Sequence, residues 1–525
     1  MNRLHSLITL PRTTLALVLM LAAGASAEPT AMTPIGPATP TAIKPETPTS
    51  GPLSVTVMDA ILLALENNRA LRVQRLEPAL RRTFENQEDG AFDPVLTGGL
   101  SKYHTRTQEP ANGGTGLTNA DATAIAASTS LSKTFATGTK VSLEGTTRLD
   151  DSSSDADRFA STRAGLSITQ SLLKGGRISA NLASLRQARL DTLSTEYQLR
   201  GFAEALVARV ESAYWNYALT QRQIDIYTES LALAEQQLAE TQARIHVGKT
   251  AELDLSAAEA EVAARQTGLI NARSALDKTR IQFQALLNSP GTKAFERNLV
   301  LLDPLTMPTN LPDNVSDHVT LAMRLRPDLN ETRLAIQRGS LDVIKTRNGL
   351  LPRLDLFVSL GSSGYADSFQ PSARRVDGDF HDTTAGLEFA IPLGNKTARA
   401  QHQRATLSRD QAAEALANMQ QLAEMDVRLA YVEIGRAREE AAATSVLVKR
   451  REETARAEAE KFRVGKSTTL QVAQTQRDLL VSQIQQVEAT INYLKSFVAL
   501  YRNEGSLLER RGISAPGREP VTSNP

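Results

Sequence analysis

The sequence predicts a mainly α-helical chain that also carries membrane-type β-strands, built as a tandem internal repeat of helix, strands, long helix, tip and return helix. Three observations predict this. Proline is absent between Pro110 and Pro290 and again between Pro392 and Pro516, although the chain carries 22 prolines. The stretches "RIHVGKTAELD" from Arg244 and "KFRVGKSTTLQ" from Lys461 write one short loop twice, 217 positions apart. Segments such as "LLPRLDLFVSLG" from Leu350 and "TTAGLEFAIPLG" from Thr383 alternate apolar and polar residues.

The chain opens with a positive stretch (Arg3, Arg12), an apolar core from Leu15 to Ala23 and an Ala25-Ser26-Ala27 site, so residues 1–27 read as a secretory signal peptide. Residues 28–52 hold seven prolines among many threonines and predict an extended linker, and residues 512–525 predict a flexible tail. No later run reaches the roughly 18 apolar residues of a spanning helix. Cysteine is absent, which excludes disulfides, thiolate metal sites, cysteine nucleophiles and an acylated N-terminal cysteine. The formal charge of +1 includes Arg3 and Arg12, so without the leader it is near −1, and no nucleic-acid footprint results.

The proline-free gaps predict continuous helix, because an interior proline costs about 3 kcal/mol there. In the first gap Phe202, Leu206, Val210, Ala213, Tyr217 and Thr220 begin a seam of four- and three-residue steps that runs on to Ile245, as in a coiled coil. An alanine-rich seam runs from Leu416 through Val427 and Ile434 to Val448. Helices over about 178–245 and 396–462 would each be roughly 100 Å long. Shorter helices, 251–288 and 468–505, return after the two loops. Val247, Gly248 and Lys249 therefore form one hairpin tip and Val464, Gly465 and Lys466 the other, with glycine supplying the tightly turned backbone.

The strands change the period to two. Leu354, Leu356, Val358 and Leu360 share one face against Asp355, Phe357, Ser359 and Gly361, and Ala385, Leu387, Phe389 and Ile391 oppose Gly386 and Glu388. "AFDPVLTGGLSKY" and "TRAGLSITQSLLKG" answer them in the first half, Pro94 matching Pro352. The openings match too, "VMDAILLALENNRAL" against "SDHVTLAMRLRPDL", with Thr56 and Asp59 as a capping box. The repeats span 53–310 and 311–511. In lipid only helices or closed barrels satisfy the backbone, and these few strands cannot close alone, so several chains must share one barrel.

In this order the segments resemble the outer membrane efflux protein family, the TolC-like channels, from about Leu53 to Arg511. The carrying stretches are Ala60–Asn68, Gln170–Arg177, Leu350–Leu356, Ile391–Asn395 and the two tips. The resemblance implies a homotrimeric outer membrane β-barrel of twelve strands, four per chain, continued by a long periplasmic α-helical barrel. It implies an exit duct that passively conducts substrates delivered by an inner membrane pump through a periplasmic adaptor, with outer membrane lipid around the barrel. On this basis Val247, Gly248, Lys249, Val464, Gly465 and Lys466 are the adaptor-docking tips.

Two departures accompany it. Where some relatives place aspartates after the second loop glycine to close the tunnel, this chain has Gln471 and Gln474; Asp254, after the first glycine, remains an acidic gate candidate. Amide rings predict weaker cation selectivity than carboxylate rings. Secondly, "STSLSKTFATGTKVSLEGTT" reads as an extra hairpin turning at Thr137-Gly138, making six strands instead of four. Its mostly polar alternation favours an extension above the membrane over an enlarged barrel.

Catalysis finds no support: His104, His246, His318, His381 and His402 are scattered, and no metal motif or nucleophile elbow is present. No cofactor is expected. A type I protein-secretion duct shares the same fold and would differ in its pump. A periplasmic adaptor or coiled-coil spacer is the reading of another class, but an adaptor would carry one hairpin, not two.

Overall fold

The computed structural model describes residues 52–110, 116–152, 158–248, 252–288, 295, 297–307 and 314–521. The expected leader and nearly all of the linker lie outside these residues. In chain order the elements are β1 (Leu53–Val55), α1 (Val57–Asn67), α2 (Arg69–Asp89), β2 (Val95–Pro110), β3 (Leu117–Thr134), β4 (Thr139–Ser152) and β5 (Phe159–Ser171). Then come α3 (Ile178–Asn181), α4 (Ala183–His246), α5 (Leu253–Leu287), β6 (Leu299–Leu301), α6 (Val315–Leu325) and α7 (Pro327–Gly349). The chain continues through β7 (Arg353–Ala366), α8 (Phe369–Arg374), β8 (His381–Ala390), α9 (Lys396–Arg463), α10 (Thr469–Asn503) and α11 (Leu507–Arg510). They divide into a sheet unit, residues 89–183 and 344–402, and a helical unit made of the rest.

The sheet unit is one antiparallel sheet in the order β2-β3-β4-β5-β7-β8. Its register separates two faces. Leu96, Leu131, Leu143, Leu166 and Leu360 stand opposite one another across five strands. One residue along, Ser132, Ser142, Ser167, Ser359 and Thr384 form a matching row. Because side chains alternate across a strand, the leucine row lies on one face and the hydroxyl row on the other. Beyond the leucines, α8 lies over the leucine-row face, where Ser372 Oγ is 2.7 Å from Thr162 Oγ1.

Six strands thus form one sheet, and the extra hairpin is not a separate extension. The physical reason is its turn. Gly138 has φ +80°, and a Cβ there would come within 2.2 Å of the Gly175 carbonyl oxygen. Ser171 N–H donates to Gly138 O at 3.1 Å, and Asn181 Nδ2 donates to Ala136 O and Gly175 O at 2.8 and 2.7 Å. This ties the turn to the end of the sheet where β5 gives way to α3.

In the helical unit, the 64 residues of α4 and 68 of α9 reach about 100 Å each. The first seam is buried as its spacing requires: Leu206, Val210 and Tyr217 join Tyr214, Trp215, Phe283 and Ile491 in the main core. Val427, Ile434 and Ala437 pack with Phe497 and Leu500 in a second cluster. The strands β1 and β6 pair in parallel, and Thr56 and Asp59 form the expected capping box. The expected tail is folded back as far as Val521: Ile513 and Ala515 pack on the main core, and Val521 N–H donates to Asn330 Oδ1 at 3.0 Å. Residues 522–525 lie outside the described residues. Among the described residues no helix is long and apolar enough to cross a membrane.

Candidate functional site: hairpin tips and strand wall

Each tip is a helix ending in a left-handed glycine. At the second, Gly465 has φ +79°, its N–H donates to Phe462 O at 2.9 Å, and Lys466 N–H donates to Lys461 O at 2.8 Å. This pair of bonds is the Schellman closure, which needs a residue without Cβ strain at its centre. At the first, Gly248 has φ +70° and donates to Ile245 O at 2.9 Å; Lys249 lies outside the described residues. A Cβ on either glycine would meet nothing within 4 Å, so backbone conformation, and not space, selects glycine.

The two tips lie side by side within the helical unit. Arg244 joins them: its Nη2 donates to Arg463 O at 3.2 Å, and its guanidinium sits 4.1 Å from the Phe462 ring centre. Around the turns, Val247, Leu253, Val464 and Leu470 are each more than 60% exposed. Leu253 and Leu470 were overlooked in the sequence, yet they share the 217-position offset of the two valines and could have been found by extending the alignment one turn. Arg244 left no comparable signal, because the helix end that it caps belongs to the other tip.

Asp254 sits in the first turn of α5 and Gln471 in that of α10, at positions related by the same offset. The Gln471 N–H is held by the Thr468 side chain at 3.3 Å, while the Gln471 and Gln474 side chains are exposed. One chain contains no ring of these residues. At the second tip the Ser467 hydroxyl donates to Glu458 at 2.5 Å, and this bond, with the Lys461 contact, lowers the Glu458 pKa.

Charge is buried above the tips, which sequence periodicity did not reveal. Arg511 donates through Nε and Nη2 to the two oxygens of fully buried Glu211, both at 2.7 Å. His318 Nδ1 lies 2.5 Å from Glu504, both buried. Glu204 is 3.3 Å from Arg200, and burial pushes its pKa up to about 8 despite that cation. Among the described residues no cluster of His, Cys, Asp and Glu is arranged to hold a metal ion. On the polar face of the sheet, Arg163 pairs with Asp382 at 2.6 Å and Arg353 with Asp355 and Glu388 at 2.6 and 3.0 Å.

Comparison with known proteins agrees with this geometry. The family model described as "Outer membrane efflux protein" matches residues 60–289 and 319–506. The pyoverdine export outer membrane protein OpmQ of Pseudomonas putida is 28% identical over 69% of this chain and 74% of its own. The outer membrane efflux protein BepC of Brucella suis is 23% identical over 65% and 72%. Among solved structures, the outer-membrane channel OprN superposes with a TM-score of 0.65 at 18% identity, covering 86% of this chain and 90% of that one.

Proposed function

The chain belongs to the outer membrane efflux protein family, and from that membership we propose that three copies form the exit duct of a tripartite export system. It is an outer membrane transport protein with a periplasmic helical portion, and not an enzyme. In the proposed assembly the sheets join into a barrel facing outer membrane lipid, and the long helices form a periplasmic tunnel. An inner membrane pump supplies the energy and a periplasmic adaptor seats on the tips.

The observation that carries the reading is the pair of adjacent tips, each ending in Val-Gly and each presenting an exposed valine and leucine. Exposed apolar side chains on rigid helix ends are suited to burial against partner helices. Two such tips per chain give a trimer six near-equivalent seats, fitting a hexameric adaptor. The tandem repeat, 53–310 and 311–511, accounts for that near-equivalence. Val247, Gly248, Lys249, Val464, Gly465 and Lys466 are the proposed seats, to which the geometry adds Leu253 and Leu470. Asp254, Gln471 and Gln474 are the proposed lining of the periplasmic opening, with weaker cation selectivity than an all-carboxylate ring.

The test is a Val247→Asp, Val464→Asp double variant. It is expected to reach the outer membrane as an intact trimer but to lose copurification with the adaptor. Undiminished adaptor capture would refute the seats. The pump that copurifies with the native assembly separates efflux of small solutes from protein secretion.

A further inference from the structure

The leucine and hydroxyl rows run through the extra hairpin without a step. Leu131 of β3 and Leu143 of β4 continue the line between Leu96 and Leu166, and Ser132 and Ser142 continue the line to Ser167. The strands β3 and β4 therefore stand at the same level as the strands that flank them, with the same face apolar. Along β7 the apolar face runs from Leu354 to Leu360, roughly 20 Å of strand, against an apolar band of about 25 Å in membrane barrels.

The sheet is also open at both ends. Among the described residues, the outer edges of β2 and β8 have no strand partner. Their apolar residues are well exposed: Leu96 and Leu100 on β2 are 73% and 81% exposed, and Leu387 and Phe389 on β8 are 64% and 60%. Unpaired edges cannot be left in hydrocarbon. Because the sheet holds an even number of alternating strands, β8 of one copy runs antiparallel to β2 of the next. The apolar face then passes unbroken from copy to copy.

We propose that each copy puts all six strands into the membrane wall, so that three copies close a barrel of eighteen strands. This rests on the trimeric duct reading above. Diameter grows roughly in proportion to strand number, so the bore is about one and a half times that of a twelve-stranded barrel. Barrels of about 16 to 18 strands leave an aqueous channel. Its wall is lined by Ser132, Ser142, Ser167 and their neighbours, with arginines that spend their charge on adjacent carboxylates: Arg163 on Asp382, Arg353 on Asp355 and Glu388. A wide, hydroxyl-rich wall whose arginines are paired with carboxylates, and whose Lys140 and Glu144 carry opposite signs, is no sieve by size or sign. Selection of cargo is then left to the helical tunnel, and bulky polar solutes pass the barrel freely.

The chain has no cysteine, so single cysteines report without background. Ser142→Cys and Leu143→Cys probe the extra hairpin, and Ser167→Cys and Leu166→Cys probe β5. All four are treated with a water-soluble maleimide in outer membranes, and the detergent-extracted native assembly is imaged by electron microscopy to count strands. The expected result is at least tenfold faster labelling of the serine position in both pairs and eighteen strands with threefold symmetry. Alternation in β5 with equal labelling of Ser142→Cys and Leu143→Cys, and twelve strands, would overturn the proposal while leaving the duct intact. Twelve strands with twofold symmetry would overturn it as well. Loss of alternation in β5 itself would remove the barrel and the duct together.

Discussion

The sheet unit and the helical unit use the same residue types in opposite ways. In the sheet, a row of leucines is exposed on one face while Arg163 and Arg353 pair with carboxylates on the other; Leu96 is 73% exposed while Arg163 reaches Asp382. In the helical unit, Leu206, Tyr214 and Phe283 are fully buried, and several charges are buried with them. The difference follows from the solvent each unit meets. Lipid accepts apolar side chains and rejects unpaired backbone, so the sheet needs closure more than it needs a core. Water rejects the same side chains, so the helices bury them, and a charge caught inside must bring its partner.

Breaking a buried partner should show the largest effect. Arg511→Met leaves the Glu211 carboxylate alone in the helical core and is expected to cost about 3–5 kcal/mol, read as a lowered denaturant midpoint. Adding Glu211→Leu should restore most of that loss, because a well-packed apolar pair can replace a buried ion pair. In the sheet the sign of a substitution depends on the face. Leu166→Arg should cost about 2–4 kcal/mol of barrel stability in lipid, whereas Ser167→Arg, one residue away, should stay within about 1 kcal/mol. Equal losses at both positions would dissolve the contrast between the faces.

A third prediction concerns pH. Burial, opposed by Arg200 and reinforced by Glu509 and Asp328, raises the folded-state pKa of Glu204 to about 8. The folded protein thus holds a proton that the unfolded chain releases near the ordinary carboxyl value, and this contribution to stability is lost as pH rises towards 8. Glu204→Gln should flatten the fall in melting temperature between about pH 5 and pH 8 by a few degrees. An unchanged slope would assign the pH dependence to another group. Smallest is Gly465→Ala, expected to cost about 1 kcal/mol at the second tip because φ +79° strains any Cβ. Gly248→Ala should match it within a few tenths if the two tips are equivalent in backbone.

Much of this contrast was legible in the residues. The proline-free gaps and the seam through Leu206, Val210 and Tyr217 located α4 and α9, and the Val-Gly pairs located both tips, because helix period and glycine conformation are local properties. The alternation around Leu354 and Leu387 located β7 and β8 and named their faces correctly. The extra hairpin is legible as a hairpin, but β3 and β4 taken alone are rich in Ser, Thr and Ala, which leaves its level open and favours an extension above the membrane. Only its register against β2 and β5 reveals that Leu131 and Leu143 stand in line with Leu96 and Leu166. Arg244 on the neighbouring helix end and the Arg511–Glu211 pair were invisible for a similar reason: their partners lie 219 and 300 positions away.

By itself the sequence determined the periods, the turns and the order of elements, because each is set by residues within a few positions of one another. Tertiary structure decided which strand stands beside which, where the tail past Gly512 docks, and which charges are buried together. Those outcomes depend on distant groups competing for the same burial and the same hydrogen bonds, a competition that no single stretch of chain contains.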